Sequence, residues 1–177
     1  ETMADLMEAS RKIAALGGGK TGYCLRGGPG ATNGYMMMMA NEYGSNEWFD
    51  KDGNSFLNKP EAVAGLQFLV DMYKNGYVSK DSVNWGFNEI VAGFYSGTCA
   101  MLDQDPDALI AVAEKMPKED FAVAPMPLGP HGKSFPTIGY AGWSMFSTSQ
   151  NKDLSWKLIA TLEGPDGNIE WNKRVGA

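Results

Sequence analysis

The sequence predicts an α/β fold, a single lobe spanning residues 1–177 in which short apolar strands alternate with amphipathic helices. Three observations predict it. The run Cys99 to Leu102 is short and apolar, follows Gly97, and stops abruptly in Asp103, Gln104, Asp105 and Asp107 before a helix, which is a strand–turn–helix passage. Helix-period and strand-like stretches succeed one another along the whole chain. No internal repeat and no linker divides it.

Taken in order, residues 4–16 carry Leu6, Met7, Ile13 and Leu16 among Glu8, Arg11 and Lys12, a helix closed by Gly17-Gly18-Gly19. Thr21 to Leu25 reads as a short strand. Gly19-Lys20-Thr21 imitates the end of a phosphate loop, but that loop needs a strand before it, a helix after it and a Gly where Ala14 stands. Arg26 follows the strand, and Gly27-Gly28-Pro29-Gly30 leads into a helix from Thr32 to Tyr43. Its Met36 to Met39 run is core filling, since Met adapts to irregular gaps. Phe49 to Phe56 lacks the Gly and Glu spacing of a calcium loop and is read as a hairpin turning at Asp52-Gly53.

Asn58 is expected to cap the next helix, with Pro60 at its start, a buried stripe of Val63, Leu66, Leu69, Val70 and Tyr73, and a stop at Asn75-Gly76. Trp85 and Glu89 stand at the entry of a helix whose apolar face is Ile90, Val91, Phe94 and Tyr95. Pro106 suits the first turn of a helix over Ala108 to Met116, because its missing N–H is not needed there. Phe121 to Met126 and Thr137 to Ser147 are expected as further strands. Two helices close the chain, one from Asn151 or Asp153 through Leu162 and one from Asn168 to Arg174.

Composition excludes several functions. At 44 % apolar and 20 % charged the chain is ordinary for a globular domain, and no stretch approaches the ~20 apolar residues that span a bilayer. A formal charge of −6 with no basic cluster argues against nucleic acid or an anionic membrane as partner. The one histidine, His131, sits in a Gly-Pro-His-Gly turn, so neither metal catalysis nor a Ser-His-Asp triad has material, and no cofactor or metal is expected. Cys24 and Cys99 both fall in predicted strands, which allows either a disulfide or two inert buried thiols.

In open α/β sheets ligands sit beyond the carboxyl ends of strands. That rule singles out Asp103, Gln104 and Asp105, although acids at such a turn also serve as ordinary helix caps. Arg26 stands at a second strand end, where a guanidinium offers bidentate bonds. In Gly139-Tyr140-Ala141-Gly142-Trp143, small residues let a ligand approach the backbone while Trp143 offers a ring face.

Residues 88–101, from Asn88 through Ser96-Gly97-Thr98 to Met101, are followed by Phe121-Ala122-Val123-Ala124-Pro125-Met126-Pro127, then Gly139 to Trp143, then Asn172-Lys173-Arg174-Val175-Gly176. In this order and spacing the chain resembles the family 1 extracellular solute-binding proteins of bacterial carbohydrate ABC transporters, nearest the subgroup that takes up sugars or sugar alcohols. The resemblance implies a type II periplasmic-binding-protein-like fold, a mixed sheet flanked by helices, and only the carboxy-terminal of two lobes. Glu1 and Ala177 fall near where the family's chain passes between lobes, which suggests an excision. Met3 replaces the family's usual Trp, and the Met36 to Met39 run replaces a more aromatic stretch.

The resemblance also implies a non-catalytic sugar or polyol site at Arg26, Trp85, Asp103, Gln104, Asp105, Gly139, Tyr140, Gly142 and Trp143. It implies a missing amino-terminal lobe and an ABC permease as partners, and a periplasmic or extracytoplasmic parent protein. Sugar hydroxyls both donate and accept, so planar Asp, Gln and Arg groups engage adjacent pairs of them while an apolar ring face packs on Trp or Tyr. Three rivals stand beside this reading. A glycoside-processing enzyme would draw on Asp103, Asp105 and Glu89, but acids two apart on one turn poorly meet the spacing hydrolysis needs. An engineered fragment used for folding or assembly would self-associate through surfaces left bare. A polyamine box of acids with Trp85 and Trp143 conflicts with Arg26.

Overall fold

Two three-residue strands run parallel through the chain's principal core: β1 (Thr21–Tyr23) pairs with β2 (Cys99–Met101), with Thr21 opposite Cys99 and Tyr23 opposite Met101. The computed structural model describes residues 1–137, 139 and 142–175. In chain order the helices are α1 (Met3–Ala14), α2 (Ala31–Tyr43), α3 (Pro60–Lys74), a 3-10 turn (Lys80–Asn84), α4 (Phe87–Tyr95), α5 (Ala108–Lys115), α6 (Lys152–Glu163) and α7 (Pro165–Val175). The chain divides into two compact units, the first Glu1–Asp103 with Lys115–Thr137, the second Gln104–Glu114 with Ile138–Ala177.

In the first unit, α1 starts with a capping box: the Thr2 hydroxyl accepts from the Asp5 N–H at 3.2 Å and the Asp5 carboxylate accepts from the Thr2 N–H at 2.8 Å. β1 is buried along its whole length, whereas Ala100 in the middle of β2 is exposed. Met3, Tyr23, Leu25, Met37, Met38, Leu69, Met72 and Val78 form one buried cluster, so the methionine run of α2 fills the core as its composition predicts. A smaller cluster joins Met39, Phe56 and Ala62, with Phe56 stacked between Tyr43 at 4.2 Å and Trp48 at 4.9 Å. Phe56 is held there by the predicted hairpin, where Phe49 bridges Ser55 and Gly53 takes a φ of 80°. The open question of the cysteines is resolved as a Cys24–Cys99 disulfide, with Cα atoms 5.3 Å apart and both residues buried.

Several expectations are corrected. Lys59, not Asn58, is the N-cap of α3, and no side chain caps that end. Pro60 at the first helical position forces the residue before it into extended backbone, and Lys59 has φ −73° and ψ 144°. The buried face of α3 is Ala62, Gly65, Leu69 and Met72, whereas Val63, Leu66 and Tyr73 are exposed. Packing decides this. A Cβ on Gly65 would lie 2.5 Å from Met39 Cα, so α3 turns its small-residue face to α2 and the bulky residues point outward.

No strand forms over Phe121 to Met126. Pro125 and Pro127 have no N–H to give a ladder, and Val123 is 83 % exposed. Only an isolated bridge remains nearby, Leu128 to Thr2. Among the described residues of 137–147 there is likewise no strand, and Gly139 and Gly142 contribute no side chains to pair. In the second unit α6 and α7 form as expected, α7 starting earlier at Pro165, and neither contains a buried residue. Leu154, Trp156, Leu158, Ile169 and Trp171 are all exposed.

Candidate functional site

The parallel register brings two strand ends to one edge of the first unit. Arg26 lies three residues past the end of β1 and Asp103 two residues past the end of β2, and the strands end level, with Tyr23 opposite Met101. Between them a turn carries Arg26 to α2. Its Gly27 N–H donates to the Ser82 carbonyl at 2.9 Å and its Gly28 N–H to the Trp85 carbonyl at 2.8 Å, which fastens the turn to the segment containing Trp85. Glycine is required at both positions: a Cβ on Gly27 would lie 2.6 Å from the Ser82 carbonyl oxygen, and one on Gly28 2.6 Å from that of Asn84.

Arg26 is half-buried, and its Nε donates to the Pro29 carbonyl at 2.7 Å. The guanidinium lies against Gly30, where φ is 83° and a side chain would collide with it. Among the described residues its Nη groups have no hydrogen-bond acceptor, so they are available to a ligand. Trp85 is also half-buried, with its ring bordering Gly93: a Cβ there would lie 3.3 Å from Trp85 Cζ3 and 2.9 Å from Cys99 Sγ. The indole and the disulfide thus meet over a gap in α4. Asp103 is partly buried and accepts a hydrogen bond from the Tyr23 phenol. Burial, then the charge of Asp103, then that hydrogen bond push the Tyr23 hydroxyl well above the ordinary phenol range.

Sequence reasoning missed Tyr23. The available signal was its place in the strand: side chains alternate along an extended backbone, so a residue opposite Met101 shares a face with one two residues beyond Met101. Glu89 serves as a helix cap of α4, its Oε2 accepting from the Gly86 N–H at 2.8 Å.

The remaining candidates fall in the second unit. Gln104 is partly buried, and Asp105 is exposed with its carbonyl accepting from the Ala108 N–H at 3.1 Å. Gly139 and Gly142 are exposed, with open space where a Cβ would stand. Trp143 is 54 % exposed and makes an edge-to-face contact with Trp171 at 6.3 Å. Tyr140 lies outside the described residues. Among the described residues no group of His, Cys, Asp and Glu could hold a metal ion, and no helix is long and apolar enough to cross a membrane.

The family model for bacterial extracellular solute-binding proteins matches residues 1–169. The chain belongs to this family. This solute-binding protein is 28 % identical over 173 residues to a putative binding protein of Brucella abortus (strain 2308), covering 97 % of this chain and 42 % of that one. Among solved structures it resembles maltose-bound T. maritima MalE3 with a TM-score of 0.83 and 27 % identity, over 99 % of this chain and 46 % of that chain. An Agrobacterium vitis ABC transporter solute-binding protein with bound D-mannitol gives a TM-score of 0.73 and 25 % identity, over 99 % and 43 %. A Thermotoga lettingae solute-binding protein shares the fold at a TM-score of 0.78 and 24 % identity, over 100 % and 45 %. The chain therefore spans less than half the length of these relatives, and its mixed helix and strand architecture is that of their fold.

Proposed function

We propose that this chain supplies one side of a sugar- or polyol-binding cleft in an ABC transporter solute-binding protein and does no chemistry on the ligand. The single observation that carries the reading is the first unit's rim, where Arg26, Trp85 and Asp103 follow or flank two level strand ends. A guanidinium with open donors, a carboxylate and an indole together suit a neutral polyhydroxylated ring. The reading is supported by two similar structures, one maltose-bound and one with bound D-mannitol. Gln104, Asp105, Gly139, Tyr140, Gly142 and Trp143 stand as candidate ligand contacts in their own unit.

The parent protein on this reading has a second lobe, closes on the ligand because the second set of contacts forms only in the closed state, and presents that state to a permease. A disulfide favours an oxidising compartment, in keeping with an extracytoplasmic site of action. Hydrolysis is disfavoured because Glu89 is committed to its helix cap and Asp103 to Tyr23. Turnover of a chromogenic glycoside that Asp105→Ala abolishes would reverse that judgement.

With part of the contacts missing, binding by the 177-residue chain alone is weak, with a dissociation constant of roughly 1 mM or above, worth about 4 kcal/mol or less. Titration of maltose and D-mannitol followed by NMR should shift the Trp85 indole N–H and the Arg26 Nε–H. Unmoved signals at saturating sugar overturn the proposal, and micromolar affinity by calorimetry overturns the argument that contacts are missing. A second reading, self-association of the chain by itself, is favoured by the bare apolar side chains of α6 and α7. Sedimentation at several concentrations tests it, and a strict monomer counts against it.

A further inference from the structure

We propose that Tyr23 is a positioning residue for the ligand-binding carboxylate of Asp103, so that the rim reads the ligand with a phenol–carboxylate pair and not a lone acid. The inference rests on the carbohydrate-cleft reading above and names a residue which that reading did not contain. Tyr23 ends β1 directly opposite Met101, and Asp103 follows Met101 by two residues, one pleat further toward the rim on the same face. The tyrosine ring is enclosed in the core cluster with Met37, Met38 and Met72, leaving Tyr23 6 % exposed. Its hydroxyl proton goes to Asp103, which is itself only partly buried.

The chemistry assigns separate tasks to the two groups. A buried phenol needs a partner, and once it has one its rigid ring holds that partner in place with only two rotatable bonds. Tyr23 donates to the carboxylate, and the partly buried carboxylate stands just past the end of β2, where ligand O–H groups would donate to it. Fixed in this way, Asp103 presents acceptors only. The ligand it selects carries adjacent hydroxyl donors at that point, and an acidic sugar, which would set carboxylate against carboxylate, is rejected. The Cys24–Cys99 disulfide supports the same geometry, since it ties together the two strands from which the pair projects.

A double-mutant cycle on binding tests this. D-mannitol and maltose are titrated by NMR into the wild-type chain, Tyr23→Phe, Asp103→Asn and the double variant. Each single change should weaken binding by about tenfold, and the double variant should be no weaker than Asp103→Asn alone, because Tyr23 acts only through Asp103. A merely structural tyrosine lowers the melting temperature but leaves affinity unchanged, or gives losses that multiply. Either result overturns the inference while leaving the cleft reading intact. No response of the wild-type chain to either sugar overturns both. Should Tyr23→Phe fail to fold, absorbance titration of the tyrosines in wild type and Asp103→Asn decides the pairing. The most alkaline phenol should ionise at lower pH in Asp103→Asn, and an unmoved titration overturns the proposal.

Discussion

Replacing both Cys24 and Cys99 by alanine should destabilise the first unit more than any other conservative pair of changes there. The bond joins residues 75 apart in sequence, so in the unfolded chain it closes a long loop. For a loop of that length the removed closure entropy is about 15 cal/mol/K, or about 4.5 kcal/mol at room temperature. Both residues are buried, and alanine leaves no unpaired hydroxyl in their place. Hydrogen exchange at the amides of Thr21, Gly22 and Cys24 reads the first unit specifically, because these N–H groups bond the carbonyls of Thr98, Tyr77 and Met101 at 2.9, 2.8 and 2.8 Å. Their protection should fall by about a thousandfold in the double variant. A loss smaller than about tenfold would refute the reasoning, since it would mean the strands stay paired without their covalent tie.

Three further outcomes follow from named contacts. Gly65→Ala should cost about 1–3 kcal/mol in chemical denaturation, because its Cβ would press on the backbone of Met38 and Met39 and drive α2 from α3; an unchanged midpoint would mean the helices do not cross there. Thr2→Ala should cost about 1 kcal/mol through loss of the α1 capping box, with Thr2→Asn restoring most of it. Stability should also depend on pH at both extremes. The Arg11 hydrogen bond pulls the Glu8 carboxyl down to about 2, so its contribution is complete above the ordinary 4.5 and is lost as pH falls toward 2. Tyr23 is shifted upward, so its contribution is complete below 10 and is lost as pH rises beyond it. Glu8→Gln should flatten the acid limb of a melting-temperature profile and Tyr23→Phe the alkaline limb; parallel profiles would contradict the assignments.

What could be read from the sequence was whatever rests on local chemistry. Gly17 to Gly19 end α1, Asn75-Gly76 ends α3, and the apolar run after Gly97 forms a strand, because turn glycines and apolar runs act within a few residues of themselves. Family membership was legible too, since it rests on ordered blocks such as Ser96 to Met101. The face of α3 was not legible. Val63 and Leu66 satisfy a helical stripe on paper, and only the approach of α2 to Gly65 selects the other side. The strands expected at 121–126 and 137–147 required partners that periodicity does not supply. At the rim, Arg26 and Asp103 could be picked from their places past strand ends, and Trp85 only from the family resemblance, since it stands at the entry of a helix. Tyr23 could not, because a core tyrosine and a tyrosine serving a carboxylate look alike until the register of β1 and β2 is known.

The seating of Gly27 and Gly28 on the carbonyls of Ser82, Asn84 and Trp85 affects how mutational tolerance should be interpreted. In a saturation screen for ligand uptake these two glycines would rank among the least replaceable positions although neither offers a side chain to any sugar. Their intolerance would report a main-chain rivet. On the proposed cleft reading, Arg26 and Trp85, which that rivet holds, are the positions where swapping one functional group for another should tune preference among sugars without loss of folding.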